Sequence, residues 1–216
     1  MTVDKLGWDT PIKKSWLRPY LQRMFVRLIV SLLDWLIDWM SIHCAASCMP
    51  VLIQQRVDAG GAFNRSWEEY KVGFNDKRGN YWLGNEMLSQ LTQHGHYRLK
   101  FDLELLNHTW YYAQYRFFFV SSEATNYTMR ISGYTGNLYD SFSYCNNMKF
   151  TTYDRDNDPY KNPKFNNNCA VRNGGGFWYN SGCAYSDVTR EYHFRWYQTR
   201  PRIPNRLQTS RMWLTC

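Results

Sequence analysis

The chain has 216 residues, 44% of them hydrophobic and 18% aromatic. That is enough apolar material for one large domain or two small ones, and it excludes a solenoid array or a chain disordered throughout. The formal net charge is +8, but it is unevenly divided: six Lys/Arg against four Asp/Glu in residues 1–49, fourteen against twelve in 50–185, and six against two in 186–216. Half of the excess lies in the C-terminal stretch, so a nucleic-acid-binding face is not what the body of the chain is built around.

The longest apolar run, Leu28 to Leu33, is too short for a membrane span or a signal core. At helical spacing Arg23, Arg27, Ser31, Asp34 and Asp38 share a polar sector, opposite Phe25, Leu28, Ile29, Leu32, Leu36 and Trp39. Residues 1–49 therefore read as an atypical segment with an amphipathic helix, packed on its own domain or touching a membrane surface. From Val51 the elements shorten. Ser66 with Glu69 forms a capping box, predicting a helix through Trp67, Tyr70 and Val72 that ends before Gly73. Asn85 is placed to cap a second helix carrying Met87, Leu88 and Leu91. The period then changes to two: Tyr97, Leu99, Phe101 and Leu103 alternate with charged residues, and 110–120 and 127–132 read as further strands. Sequons at Asn64, Asn107 and Asn126 are glycan acceptors if the chain is secreted, the last two at hairpin turns. After Phe150 periodicity ends in a stretch rich in Asn, Gly and Asp that needs a staple.

Two signals in that stretch carry chemistry. Asp154, Asp156 and Asp158 alternate, and in an extended loop their carboxylates leave one side of the backbone; they form either a solvated acidic turn or a site for a hard cation such as calcium. Cys169 and Cys183 enclose Gly174-Gly175-Gly176 and Phe177-Trp178-Tyr179. Oxidised, they would close a loop worth about 3 kcal/mol of chain entropy; reduced, they are two buried thiols. Cys145 has no obvious partner. Cys44 and Cys48 beside His43 lack a second pair of zinc ligands, and His94 and His96 read as surface residues. Neither a Ser-His-Asp arrangement nor a phosphate-binding loop can be assembled, so an enzyme is not expected.

The segments VLIQQRVDAGGAFNRSWEEYKVGF, GNYWLGNEMLSQLT, YRLKFDLE, YTMRISGYTGN, NNMKFTTYDRDND and NNCAVRNGGGFWYNSGC, in this order, resemble the fibrinogen C-terminal domain of fibrinogen chains, ficolins, tachylectins, tenascins and angiopoietins. The resemblance covers about residues 51–185. It implies an α+β fold, a twisted and mainly antiparallel sheet with short flanking helices, followed by a loop-rich subdomain that holds calcium and a recognition pocket. It divides the chain into the atypical segment 1–49, an incomplete domain 50–185 and a basic tail 186–216, with the family's closing strand expected to be missing.

The resemblance also implies site residues. Asp156 and Asp158 match the family's calcium carboxylates, with Tyr160, Asn162 or a later residue supplying carbonyls, and calcium acts structurally. Cys169 and Cys183 match its small disulfide. Asn173, Trp178, Tyr179 and Ala184 occupy the ligand-pocket positions, Ala184 where lectin-like members carry a His. The expectation is a secreted, calcium-dependent recognition domain, lectin-like or innate-immune, that binds glycans or acetylated ligands; the alternative is a matrix or growth-factor-like module for extracellular proteins, or a paralogue without a working pocket. Nucleic acid is not an expected partner.

Overall fold

The computed structural model describes residues 49–58, 60–162, 167–183, 185–191, 195–196 and 207–215. The amphipathic helix expected in 1–49, with Cys44 and Cys48, lies outside the described residues, as do Ala184 and Cys216. Seven antiparallel strands form one sheet in the order β2-β3-β1-β9-β4-β5-β6. They are β1 (Val51–Arg56), β2 (Phe74–Asn75), β3 (Tyr81–Trp82), β4 (Tyr97–Leu105), β5 (Trp110–Val120), β6 (Met129–Gly136) and β9 (Leu207–Thr215). A separate ladder joins β7 (Ser186–Asp187) to β8 (Arg195–Trp196).

The period-two reading of β4 holds residue by residue. Tyr97, Leu99, Phe101, Leu103 and Leu105 are buried, and the intervening charged side chains keep contact with water. On β5, Ala113, Tyr115, Phe118 and Val120 join the same core. The third predicted strand begins two residues later than expected, because Asn126 and Tyr127 adopt positive φ (57° and 48°) in the turn that leads into β6.

Two expectations are corrected, and one further strand is added. The closing strand is not missing: β9, drawn from the segment read as a basic tail, sits in the middle of the sheet between β1 and β4. Its alternation slips at Thr209 and Ser210, both buried, which breaks the period that would have marked it in the sequence. The sheet also gains β1, whose fully buried Gln54 and Arg56 disguise a strand. Gln54 Nε2 donates to Ser210 Oγ at 3.1 Å, and Arg56 donates to the carbonyls of Asp58, Gly60 and Glu191. Lastly, Asn85 is the first residue of its helix rather than the cap; its Oδ1 accepts from Trp82 Nε1 instead.

Helix α1 (Trp67–Val72) has the predicted capping box: Ser66 Oγ accepts from Glu69 N, and Glu69 reaches back to Ser66 N. Helix α2 (Asn85–His94) buries Leu88 and Leu91, and Thr92 Oγ1 accepts from Val120 N at 3.0 Å, joining α2 to β5. An aromatic cluster of Trp67, Tyr70, Trp82, Phe150 and Trp178 fills the space beneath, with successive ring centroids 5.0 to 6.3 Å apart.

Candidate functional site

The loop-rich stretch after Phe150 is pinned to the sheet domain before it does anything else. Thr151 and Phe177 exchange backbone hydrogen bonds at 3.0 and 3.1 Å. Asp154, the first of the acidic alternation, turns away from its two partners: its carboxylate accepts from Trp67 N at 2.9 Å and from Thr152 Oγ1 at 2.7 Å. It thus serves as a second cap on α1, satisfying a backbone N–H that the helix itself cannot. Arg155 lies over the Trp67 ring at 4.0 Å and donates to Asn126 Oδ1 at 2.7 Å. The expected convergence of three carboxylates is therefore corrected to a pair.

That pair is Asp156 and Asp158. Asp158 is buried; its Oδ1 accepts from Tyr160 N and its Oδ2 from Cys169 N, both at 2.9 Å. Burial first, with the neighbouring Asp156 charge adding to it, pushes the Asp158 carboxyl up to about 6. A carboxylate held so unfavourably beside a like charge fits a hard divalent cation, which takes oxygen ligands. Among the described residues no cluster of three or more His, Cys, Asp or Glu side chains could hold a metal, so further ligands would have to be carbonyls, Tyr160 and Asn162 being the nearest of those expected. The Tyr160 ring packs beneath the Arg172 guanidinium at 4.8 Å, and Asn162 N donates to Asn167 Oδ1.

Asp158 leads directly to the staple. Helix α3 (Cys169–Asn173) is capped by Asn168, whose Oδ1 accepts from Ala170 N and Val171 N. Cys169 and Cys183 form a disulfide with their Cα atoms 5.3 Å apart. The glycine run then threads the interior. Gly176 N donates to Tyr70 Oη at 2.9 Å, and a Cβ on Gly176 would stand 2.6 Å from a Tyr70 ring carbon, so only glycine fits.

Trp178 and Tyr179, expected at the ligand pocket, lie in the interior: both are 0% exposed. Trp178 Nε1 donates to Tyr127 O and Tyr179 Oη to Gly175 O, so both rings are core that carries its own polar partners. Asn173 is buried too, its Nδ2 donating to the Cys183 carbonyl.

A different aromatic set reaches solvent beside the staple. The chain after Tyr179 makes a tight turn in which Gly182 N donates to Asn180 Oδ1 and Cys183 N to Asn180 O, with Cys183 at φ +59°. Asn180 Nδ2 holds the Tyr144 carbonyl. Around this turn Tyr144 is 50% and Tyr185 40% exposed, with ring centroids 5.0 Å apart, and Tyr139 Oη lies 3.1 Å from Tyr144 Oη. Scattered tyrosines at 139, 144 and 185 give no sequence signal; only the fold gathers them.

The sequons differ in setting. Asn64 and Asn107 are exposed, whereas Asn126 is half-buried against Arg155. His94 and His96 are exposed, and Cys145 is a buried free thiol pushed above the ordinary range by desolvation.

Comparisons with known proteins agree with this architecture. A family model described as "Fibrinogen beta and gamma chains, C-terminal globular domain" matches residues 39–205. Angiopoietin-related protein 2 of Homo sapiens is 40% identical over 149 residues, 69% of this chain and 29% of the relative. Fibrinogen-like protein A of Apostichopus parvimensis is 36% identical over 146 residues, 66% of this chain and 49% of the relative. The chain thus spans between about a third and a half of the length of these relatives. Among solved structures, the fibrinogen-like globe domain of human ANGPTL2 superposes with a TM-score of 0.65 at 34% identity, covering 76% of this chain and 79% of the other. The lamprey fibrin D-dimer complexed with the peptide ligand Gly-His-Arg-Pro-amide gives 0.64 at 28%, covering 76% and 60%. The angiopoietin-related and fibrinogen relatives are secreted and non-enzymatic, and no described helix is long and apolar enough to cross a membrane. With its fold, its stapled loop and these matches taken together, the chain belongs to the fibrinogen C-terminal globular domain family.

Proposed function

We propose that the chain is an extracellular, non-catalytic recognition domain that binds protein or peptide partners through the tyrosine surface beside the Cys169–Cys183 loop. The observation that carries this is the exposed Tyr144–Tyr185 pair, backed by Tyr139, beside a turn held by a disulfide and tied to the Tyr144 carbonyl by Asn180. Tyrosine offers a large amphipathic contact at small entropic cost, which is why it concentrates in protein-recognition surfaces. The lamprey relative's peptide ligand supports partners of this class.

Calcium belongs to this reading as a structural ion. Asp156 and Asp158 would hold it with nearby carbonyls, those of Tyr160 and Asn162 among them, and it would supply positive charge where two carboxylates now repel. Asp158 already links the acidic turn to the first residue of α3, so ordering the pair would stiffen the segment that enters the staple. The acetyl-binding lectin reading loses support, because the aromatic wall it needs is interior.

The test is calorimetric titration of Gly-His-Arg-Pro-amide into the full chain, with Tyr144→Ala/Tyr185→Ala as comparison and calcium or chelator present. Calcium-dependent binding that the double variant weakens at least tenfold is expected; equal binding by both proteins would remove the tyrosine surface from the account.

A further inference from the structure

Dividing the charge along the sequence hides what the sheet does with it. Arg98, Arg116 and Arg130 come from three successive strands, β4, β5 and β6, which are neighbours in the sheet. All three side chains are exposed. The register explains how they gather. Tyr97 stands opposite Phe118 and Leu99 opposite Tyr115, so Arg98 alone faces two residues, Arg116 and Phe117. This bulge interrupts the alternation, and both Arg116 and Phe117 reach solvent while Tyr115 and Phe118 on either side are buried. On β6, Ser132 pairs with Phe117 and Arg130 with Phe119, which sets Arg130 one step diagonally from the bulge. Strands lie about 4.8 Å apart, so the three positions span about 10 Å across the sheet. Arg116 also lies across Gly133, whose missing Cβ would stand 2.8 Å from Nε.

The electrostatic setting is one-sided. Arg65, Lys71, Arg78, Lys100 and Arg155 are each paired with a carboxylate, whereas Arg98, Arg116 and Arg130 form no ion pair among the described residues. The register positions around them carry Lys100, Gln114, Phe119, Ser132 and Thr215, and no carboxylate. Three unneutralised guanidinium groups on one strip of the sheet face complement a linear chain with closely spaced anionic groups. Guanidinium forks match the oxygen geometry of sulfate as they do that of phosphate, and the relatives of this chain act outside the cell, where sulfated polysaccharides are the abundant linear polyanions.

We propose that the Arg98–Arg116–Arg130 strip binds a sulfated glycosaminoglycan chain. The strip is built from the sheet face, uses none of the residues assigned to protein recognition, and would hold the domain at a matrix or cell surface.

The test uses the full chain on immobilised heparin with a salt gradient, and soluble heparin in titration. Arg98→Ser/Arg116→Ser/Arg130→Ser is compared with a control, Arg200→Ser/Arg202→Ser/Arg206→Ser, which removes the same charge from the C-terminal stretch. The full chain and the control should be retained at physiological salt. The strip variant should elute early, bind soluble heparin at least tenfold more weakly, and show a log–log salt slope reduced by about 0.7 per arginine removed. Arg130→Ser alone, on the edge strand, gives a two- to threefold loss and serves if the triple variant does not fold. The proposal is overturned by lack of retention of the full chain, by an equal or greater loss in the control, by undiminished binding of a folded strip variant, by equal retention on desulfated heparin, or by tighter binding to anionic lipid vesicles than to heparin.

Discussion

Replacing Tyr70 with Phe isolates one pair of hydrogen bonds that ties the loop subdomain to the sheet domain. Tyr70 is fully buried, and its hydroxyl donates to Phe63 O at 2.7 Å while accepting from Gly176 N at 2.9 Å. The ring stays, packed against Trp82, Phe74 and Phe150, so the loss is polar. Removing the oxygen strands the Gly176 amide in the interior at a cost of about 1–3 kcal/mol, whereas Phe63 O keeps its bond from Arg65 N at 3.0 Å. A loss near 2 kcal/mol is a large part of a typical 5–15 kcal/mol of stability and lowers Tm by about 4–8 °C for a domain of this size. Urea unfolding should show it as a fall in midpoint without a change in slope, and amide exchange at Gly176 should accelerate. A variant within about 0.5 kcal/mol of the parent, with Gly176 still protected, would refute the claim that this hydroxyl joins the two parts.

Other consequences follow from the same geometry. Asp187 is wholly buried, and desolvation pushes its carboxyl up to about 6 despite opposing charge on Arg190 and Arg56. Because the folded state holds the proton more tightly than the unfolded chain, stability is full below about pH 4 and lost as pH rises through 6. Asp187→Asn should remove its share of this fall, on the order of 3 kcal/mol, in unfolding measured between pH 4 and 7, leaving the share that Asp158 contributes over the same range. Asp154→Ala should cost about 1 kcal/mol through the lost cap on Trp67 yet leave calcium uptake unchanged, whereas Asp158→Ala should abolish that uptake; a calorimetric titration separates the two. Cys169→Ala/Cys183→Ala should destabilise by about 3 kcal/mol in denaturant, since the bond closes a loop of sequence separation 14. Indifference of the parent's unfolding to reductant would contradict that.

Local chemistry made much of the fold legible. The Ser66–Glu69 box, the β4 alternation and the ordered family segments each state their structure in consecutive residues. What stayed hidden depends on long-range pairing. β9 is obscured by buried Thr209 and Ser210, the latter's hydroxyl bonded to Gln54 on β1, and β1 in turn by a buried Arg56 whose guanidinium is held by the carbonyls of Asp58 and Gly60 just downstream and by that of the distant Glu191. The site shows the same division. The disulfide and the Asp156–Asp158 pair could be placed from the sequence, but Asp154 was claimed by α1, an element far from it in the chain. Trp178 and Tyr179 carried the signature of a binding wall because core and pocket draw on the same aromatic residues; only burial tells them apart.

The most direct measurement is hydroxyl-radical footprinting of the full chain, read by peptide mass spectrometry. The account predicts rapid oxidation of Tyr144 and Tyr185, which a bound partner suppresses, and protection of Trp178 and Tyr179 whether or not the partner is present. Rapid oxidation of Trp178 and Tyr179 in the free protein, suppressed on binding while Tyr144 and Tyr185 stay unchanged, would contradict it.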